Sequence, residues 1–406
     1  ARLLQGRCFR EQEQFEKAAE LLASSAASQS REDVLVEALF EIARNKIEQA
    51  ASIIRDKENE NRVQESNEVF TDADKAVDAF AARAGKVHPQ LGVDVKTLVL
   101  RHYLYEQWAA AMRVAGQGEQ AEKYDKKAQQ AFLEFLEKYK EPSIRAAVGK
   151  LFREKFRGRK INLQTMDPVI VLLLAMLEMN EADDLQGGRD WNSLSQPEKD
   201  RIRRNRDRAR DMFESIRKST SPTARSAVPD ALWNLGVIYV KQLENFKAAE
   251  MFRELVNRFP KHKQAYTAAL NAVKITSDLI SDLVEKEKPI SQQRRIQLVE
   301  SLRVMLKNWA RKPEAAKYHF DLAWQCEKLS QSDTEEKADE WITEAIENYE
   351  KVPRDSALYQ WARFEALELR YQRLLKRPDG QEKLKETRDL RDAMIRYGGA
   401  VHDLWR

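Results

Sequence analysis

The sequence predicts an all-α protein built from antiparallel helix pairs, and three observations carry that prediction. Helix breakers are scarce, with 13 Gly and 11 Pro in 406 residues, against the roughly 12% of average usage. A set of small and apolar residues recurs at the same separations in two distant places. No stretch of four or more residues alternates polar with β-branched residues, so no strand is expected.

The bulk numbers agree. Hydrophobic residues make up 42% of the chain, enough for a continuous core. Charged residues reach 33%, yet 70 basic against 66 acidic side chains leave a net charge of only +4. The two signs interleave, as in Arg388-Asp389-Leu390-Arg391-Asp392, which describes a solvated helix face with weak ion pairs. Cys8 and Cys326 lie far apart with no CxxC and are expected as two buried, unpaired thiols, which leaves the redox compartment open. The chain opens on Ala-Arg-Leu-Leu inside a helical pattern and reads as a fragment or processed product, so any signal peptide lies out of view.

In chain order, the first pair carries Gly6, Phe9, Ala18 and Leu22, separated by three, nine and four residues. Its turn aromatic, Phe15, lies three before Ala18. The polar segment 57–68 is expected as an exposed helix extension or a loop. Asp94, Asp167-Pro168, Asp230 and Asp355 are expected as helix N-caps. The run Val169 to Leu177 is nine residues long, about half of what a bilayer requires, and is expected as a helix buried on all sides. Residues 181–196 are expected as a long loop around Gly187-Gly188 with Trp191 beside it. Ser195-Gln196-Pro197-Glu198 then forms a capping box, as does Ser332-Asp333-Thr334-Glu335. Ala209 and Phe213 repeat the step of four.

The clearest unit spans 229–262. Leu235, Gly236 and Tyr239 fall on its first helix, Ala248 and Phe252 on its second, and Pro260 closes it. Gly236, Tyr239, Ala248 and Phe252 show the same three, nine and four separations as the N-terminal set. Gly236 and Ala248 are small so that two antiparallel helices can approach, Tyr239 and Phe252 fill the space around that contact, and Pro260 ends the second helix. Further on, Phe320 to Cys326 reads as a first helix and Ala345 to Tyr349 as its partner. Trp361-Ala362 and Ala366-Leu367 open another first helix, and Gly398-Gly399 is expected as a helix stop.

Spaced this way, Leu235, Gly236, Tyr239, Ala248, Phe252 and Pro260 resemble the tetratricopeptide repeat, a helix–turn–helix of about 34 residues. The resemblance implies a right-handed superhelical solenoid of antiparallel helix pairs, some degenerate or with loop insertions. On that reading, 1–160 is a degenerate N-terminal array, 161–262 a central set of pairs and 263–406 a C-terminal array, in one continuous solenoid. The segment Asn257-Arg258-Phe259-Pro260-Lys261-His262, with Ala265, Ala268 and Ala269, resembles bacterial cell-envelope members of the family, which leans the expected location to the envelope or periplasm.

Catalytic and metal-binding patterns are missing from the sequence. His88, His102, His262, His319 and His402 stand at no metal-ligand spacing and are expected at the surface or a groove edge. GxGxxG, GxxxxGK[ST] and GxSxG do not occur, and Ala182 or Leu185 breaks a calcium loop at Asp183-Asp184. The expectation is a non-enzymatic chain without cofactor or metal. The family resemblance implies a partner peptide, helix or subunit held in a groove lined by Trp233, Val237, Val240 and Lys241, with packing between repeats the equal alternative for Trp233, Val237 and Val240. Val237 and Arg7 stand where chaperone-tail clamps carry Asn, which argues against that partner. The arginine-rich helix 201–210, with Arg201, Arg204 and Arg208, reads first as a solvated helix face; together with 155–160 it otherwise offers a surface for an acidic protein partner. Nucleic acid is disfavoured, because Asp200, Asp207 and Asp211 intervene and stacking aromatics are not interleaved. The competing reading is an accessory or regulatory domain of a larger enzyme or complex.

Overall fold

The computed structural model describes residues 1–27, 31–141, 143–145, 147–149, 163, 166–331 and 335–404. Among these it holds sixteen α-helices, one short 3₁₀ turn and no strand. The expected all-α architecture is therefore present. The helices fall into two compact units, Ala1–Ser215 and Ile216–Arg406.

The first unit contains α1 (Arg2–Glu11), α2 (Phe15–Ala27), α3 (Glu32–Arg55), α4 (Arg62–Ala84), α5 (Gln90–Val114), α6 (Gly118–Lys138), α7 (Pro168–Gln186) and most of α8 (Gln196–Lys218). From α1 to α7 each helix packs on the next. Amphipathic helices at this spacing can bury their apolar stripes only against neighbours. Ile47, Phe70, Phe80 and Leu104 lie wholly inside α3–α5. Trp108 stacks on Phe70 at 5.3 Å and on Tyr124 at 4.1 Å, and its indole N–H donates to Asn67.

The second unit contains α9 (Ala224–Lys241), α10 (Asn245–Arg258), α11 (Ala265–Glu285), α12 (Gln292–Trp309), α13 (Ala315–Ser330), α14 (Glu335–Glu350), α15 (Tyr359–Lys376) and α16 (Gln381–Leu404). Here too each helix packs on its successor. Ala323 and Cys326 of α13, and Ala345 and Tyr349 of α14, are all buried. Burial also drives the Cys326 thiol pKa far up.

Four turns within pairs share one geometry. Gln14 N–H donates to Phe9 O, Gln117 to Met112 O, Glu244 to Tyr239 O and Lys288 to Leu283 O, at 2.8–2.9 Å. In each, the residue before the donor is left-handed: Glu13, Gly116, Leu243 and Glu287. This is the six-to-one closure that ends a helix and reverses the chain. The N-terminal pair and the 229–262 unit are thus in step at the turn, although their aromatics are shifted. The α5–α6 pair is a further copy, with buried Ala109, Met112 and Ala121 at separations of three and nine.

Several local expectations are corrected. Helix α7 runs on to Gln186 because Ala182 is still core, so 181–196 is not one loop. Gly187, left-handed at φ 57°, caps that helix, and a 3₁₀ turn at Trp191–Ser193 follows. The run 169–177 is not buried all round, since nine helical residues point to every side and Met176 faces solvent. Segment 57–68 splits, with α4 starting at Arg62. Asp167 is an N-cap, its carboxylate accepting from Val169 N–H at 2.8 Å. Asp94 instead lies inside α5, and Asp230 inside α9, where buried Ala227 and Val228 extend the helix past Pro229. Asp355 precedes a helix that starts at Tyr359. Helix α16 passes through Gly398-Gly399, which carry no packing demand. Cys8 is exposed and only Cys326 is buried, both unpaired. His102 is buried rather than superficial, whereas His319, though largely buried, stands at the wall of a cleft. The box at 332–335 and the basic segment 155–160 lie outside the described residues.

Candidate partner-binding surfaces

Contact between α9 and α10 places the repeat residues. A β-carbon on Gly236 would stand 2.4 Å from Cε1 of Phe252, so the ring occupies the missing side chain's volume. Leu235, Ala248 and Phe252 are buried. The smallness of Gly236 thus answers Phe252, one turn beyond Ala248. The N-terminal pair repeats this, for a β-carbon on Gly6 would meet Leu22 Cγ at 2.8 Å and the Ala18 carbonyl at 3.4 Å. Gly149 stands likewise over Leu177 of α7, at 2.6 Å. That third seat has no signal at fixed spacing.

With one face of α9 fixed against α10, its residues are buried nearly all round. One edge stays open. Trp233 and Val237 are half-buried, Val240 is 38% exposed and Lys241 is exposed. Residues four, seven and eight apart share a helical face, so the four positions expected to line a groove do come together. Trp233 is anchored from beneath, its ring centroid 5.4 Å from that of Phe252 at 53°. The stripe is apolar along its length and ends in a cation.

The arginine-rich helix α8 divides into structural and open members. Arg206 is buried and reaches Gln186 at 2.6 Å and Asp183 at 3.6 Å. Arg203 and Arg206 both lie over the ring of Trp191, at 5.3 and 6.0 Å, which binds the 187–195 turn to the helix. Arg201 pairs with Glu181 at 2.6 Å, and Arg210 with Asp207. Arg204 and Arg208, one turn apart, are exposed and carry no ion pair among the described residues. So the three arginines expected at a surface site separate into one structural and two open groups.

A cleft of about 920 Å³ in the second unit was not legible from sequence. It lies between α12 and α14 over α13. Arg303 pairs with Glu344 at 2.7 Å and covers Trp341 at 5.2 Å. His319 shares a hydrogen bond with Asn348 at 2.9 Å, and burial lowers its pKa. Its lining comes from distant segments whose residues form no sequence pattern. Among the described residues no cluster of His, Cys, Asp or Glu could hold a metal ion, and no helix is long and apolar enough to cross a membrane.

Antiparallel pairs with a shared turn and a shared glycine seat define a helical-repeat protein. Residues 230–262 match the tetratricopeptide repeat family model, so one pair is a tetratricopeptide repeat. No curated protein matches the chain. Among solved structures, it is similar to Nro1, a hypoxic regulator of sterol synthesis that is a nuclear import adaptor (12% identity, 87% of this chain and 98% of that one, TM-score 0.35). It is also similar to a monomeric mutant of IFIT1 with Gppp-AAAA (13%, 85% and 89%, 0.26) and to yeast Tom70 (10%, 97% and 95%, 0.17).

Proposed function

We propose that the chain is a protein-interaction scaffold, without catalytic activity of its own, that seats an extended or helical partner segment on the open edge of α9. The carrying observation is the Trp233–Val237–Val240 stripe, an accessible apolar line on a helix otherwise given over to packing. Helical repeats bind through the extended surfaces their stacked pairs present. An aromatic anchor held by its own core neighbour suits this use, because Trp233 loses little further freedom on binding. Lys241 at the end of the stripe favours a partner with a carboxylate beyond its apolar residues.

The test is quantitative capture from native extract with the wild-type chain and with Val240→Asp and Trp233→Ala/Lys241→Ala variants. Circular dichroism must show unchanged helix content. Loss of a defined partner from both variants supports the reading. Undiminished recovery of every partner would remove the α9 edge as the site.

A second reading rests on Arg204 and Arg208, whose guanidiniums, without an ion pair among the described residues, suit an acidic protein segment. It predicts that Arg204→Ala/Arg208→Ala loses a different set of partners, with strong dependence on salt. No loss from that variant at low salt would dismiss it.

A further inference from the structure

The α15–α16 pair leaves one flank open among the described residues. On the other flank Arg370 pairs with Glu350 of α14, and between the helices Leu367 and Leu374 pack on Leu390 and Ala393. Phe364 beside Tyr397, and Arg377 paired with Glu386, fix the antiparallel register. On α15 the positions beyond these contacts are Glu368, Tyr371 and Leu375, with Phe364 at their margin beside Tyr397. On α16 they are Leu384, Arg388, Arg391 and Ile395. The spacing of three and four puts each set on a single helical face.

Both faces carry exposed apolar side chains around a charged centre. Leu375 is 60% exposed and Ile395 65%, and Phe364, Tyr371 and Leu384 are also exposed. Their charges are opposite. The α15 face has an acid at its centre, Glu368, whose only partner among the described residues is the amide of Gln372. The α16 face has two guanidiniums at its centre. Arg388 has no partner among the described residues, and Arg391 bonds there only its exposed neighbour Asp392.

From this complementarity we propose that a second copy of this chain covers the flank, in a two-fold dimer whose axis runs along the hairpin. That operation lays α15 of one copy on α16 of the other. The hairpin register brings Arg391 within about one turn of the level of Glu368, so each Glu368 meets Arg391 of the other copy. The apolar positions on either side of these charges then cover one another. The two pairs fix register, and the apolar residues supply the driving force.

Sedimentation and light scattering tell whether this is right. The wild-type chain is expected to be mostly dimeric at about 100 μM, which needs a Kd of about 10 μM or tighter, roughly −6.8 kcal/mol of association or better. Glu368→Arg alone and Arg391→Glu alone should each weaken the dimer about tenfold or more, since like charges then face each other. Mixing those two variants should restore a heterodimer of wild-type strength, because both cross-pairs become opposite again. A folded wild-type monomer at that concentration would overturn the proposal, and so would single variants that remain fully dimeric. Failure of the mixture to restore association would overturn it as well, while helix content measured alongside shows that each variant is folded.

Discussion

The ring of Phe252 fills the space that a side chain on Gly236 would need, with Cε1 2.4 Å from the position of the absent β-carbon. Gly236→Ala is therefore expected to destabilise the second unit by about 1–3 kcal/mol through overpacking, despite alanine's better helix propensity. The strain belongs to the ring. Adding Phe252→Leu should thus cost less in the Gly236→Ala background than in the wild type, a coupling that urea unfolding of the two singles and the double measures. Strict additivity would show that the glycine has some other reason.

Gly6→Ala tests whether the two seats are equivalent. Its obstruction is Leu22, met at Cγ and Cδ2 at 2.8 and 2.9 Å, a side chain that can rotate where a ring cannot. The expected cost is smaller than at Gly236, on the order of 1 kcal/mol or below. A larger loss at Gly6 would reverse this ranking of the two pairs.

Leu243 occupies a left-handed turn position at φ 60° with 83% of its surface exposed. A residue with a β-carbon costs about 1–2 kcal/mol there, and the exposed side chain returns little of that by burial. Leu243→Gly should raise stability by about 0.5–1 kcal/mol after allowing for glycine's greater freedom in the unfolded chain. Thermal melts of Leu243→Gly beside Leu243→Ala check it, since only the glycine variant should gain.

What was legible in the sequence follows from how locally each feature is determined. The seats at Gly6 and Gly236 were readable because their partners lie sixteen residues away at a fixed interval. The copy at Ala109, Met112 and Ala121 uses the same interval without a glycine in the seat; Gly116, seven residues on, marks its turn. The seat at Gly149 stayed hidden because Leu177 answers it across a longer connection. The helix starts expected at Asp94 and Asp230 are displaced for another reason. Tertiary burial of Val93 and Val228 outweighs the capping preference of the aspartate one or two residues beyond each. The stripe from Trp233 to Lys241 followed from the repeat register alone, whereas no pattern within α8 separates structural Arg206 from open Arg204. That distinction depends on Trp191 and Gln186 arriving from the preceding turn.

Arg10 and Glu41 form a buried pair between α1 and α3, at 2% and 3% exposure. Arg7 adds a second cation to Glu41 at 2.7 Å, and Glu48 a second anion to Arg10 at 3.3 Å. Removing one partner strands the other's charge, so Glu41→Gln should cost about 3–5 kcal/mol. Replacing both, as Arg10→Met/Glu41→Leu, should cost far less than the sum of the single changes. Urea unfolding of the first unit's transition distinguishes these outcomes; a double variant that loses the full sum of the two single losses would mean the two side chains contribute independently, through packing alone.

At the start of α8 the Ser195 hydroxyl donates to Glu198 at 2.7 Å and the Ser195 backbone N–H at 2.9 Å, with Arg189 adding a further bond at 2.9 Å. The carboxylate thus reaches back over the helix terminus as in a capping box. These donors, Ser195 first, hold the Glu198 pKa at about 2, below its ordinary 4.5. Because the folded value is depressed, the contribution to stability is complete above the ordinary carboxylate range. It is lost as pH falls from about 4.5 toward about 2, for the unfolded chain takes up its proton first. Carbon-detected NMR of the glutamate carboxyls should find Glu198 titrating near the bottom of that range. Ser195→Ala should move it part of the way back, since the backbone donor and Arg189 remain. A Glu198 that titrates like an exposed glutamate in the wild-type chain would show that the box does not close in solution. In that case the first turn of α8 would depend on Trp191 and Arg206 instead.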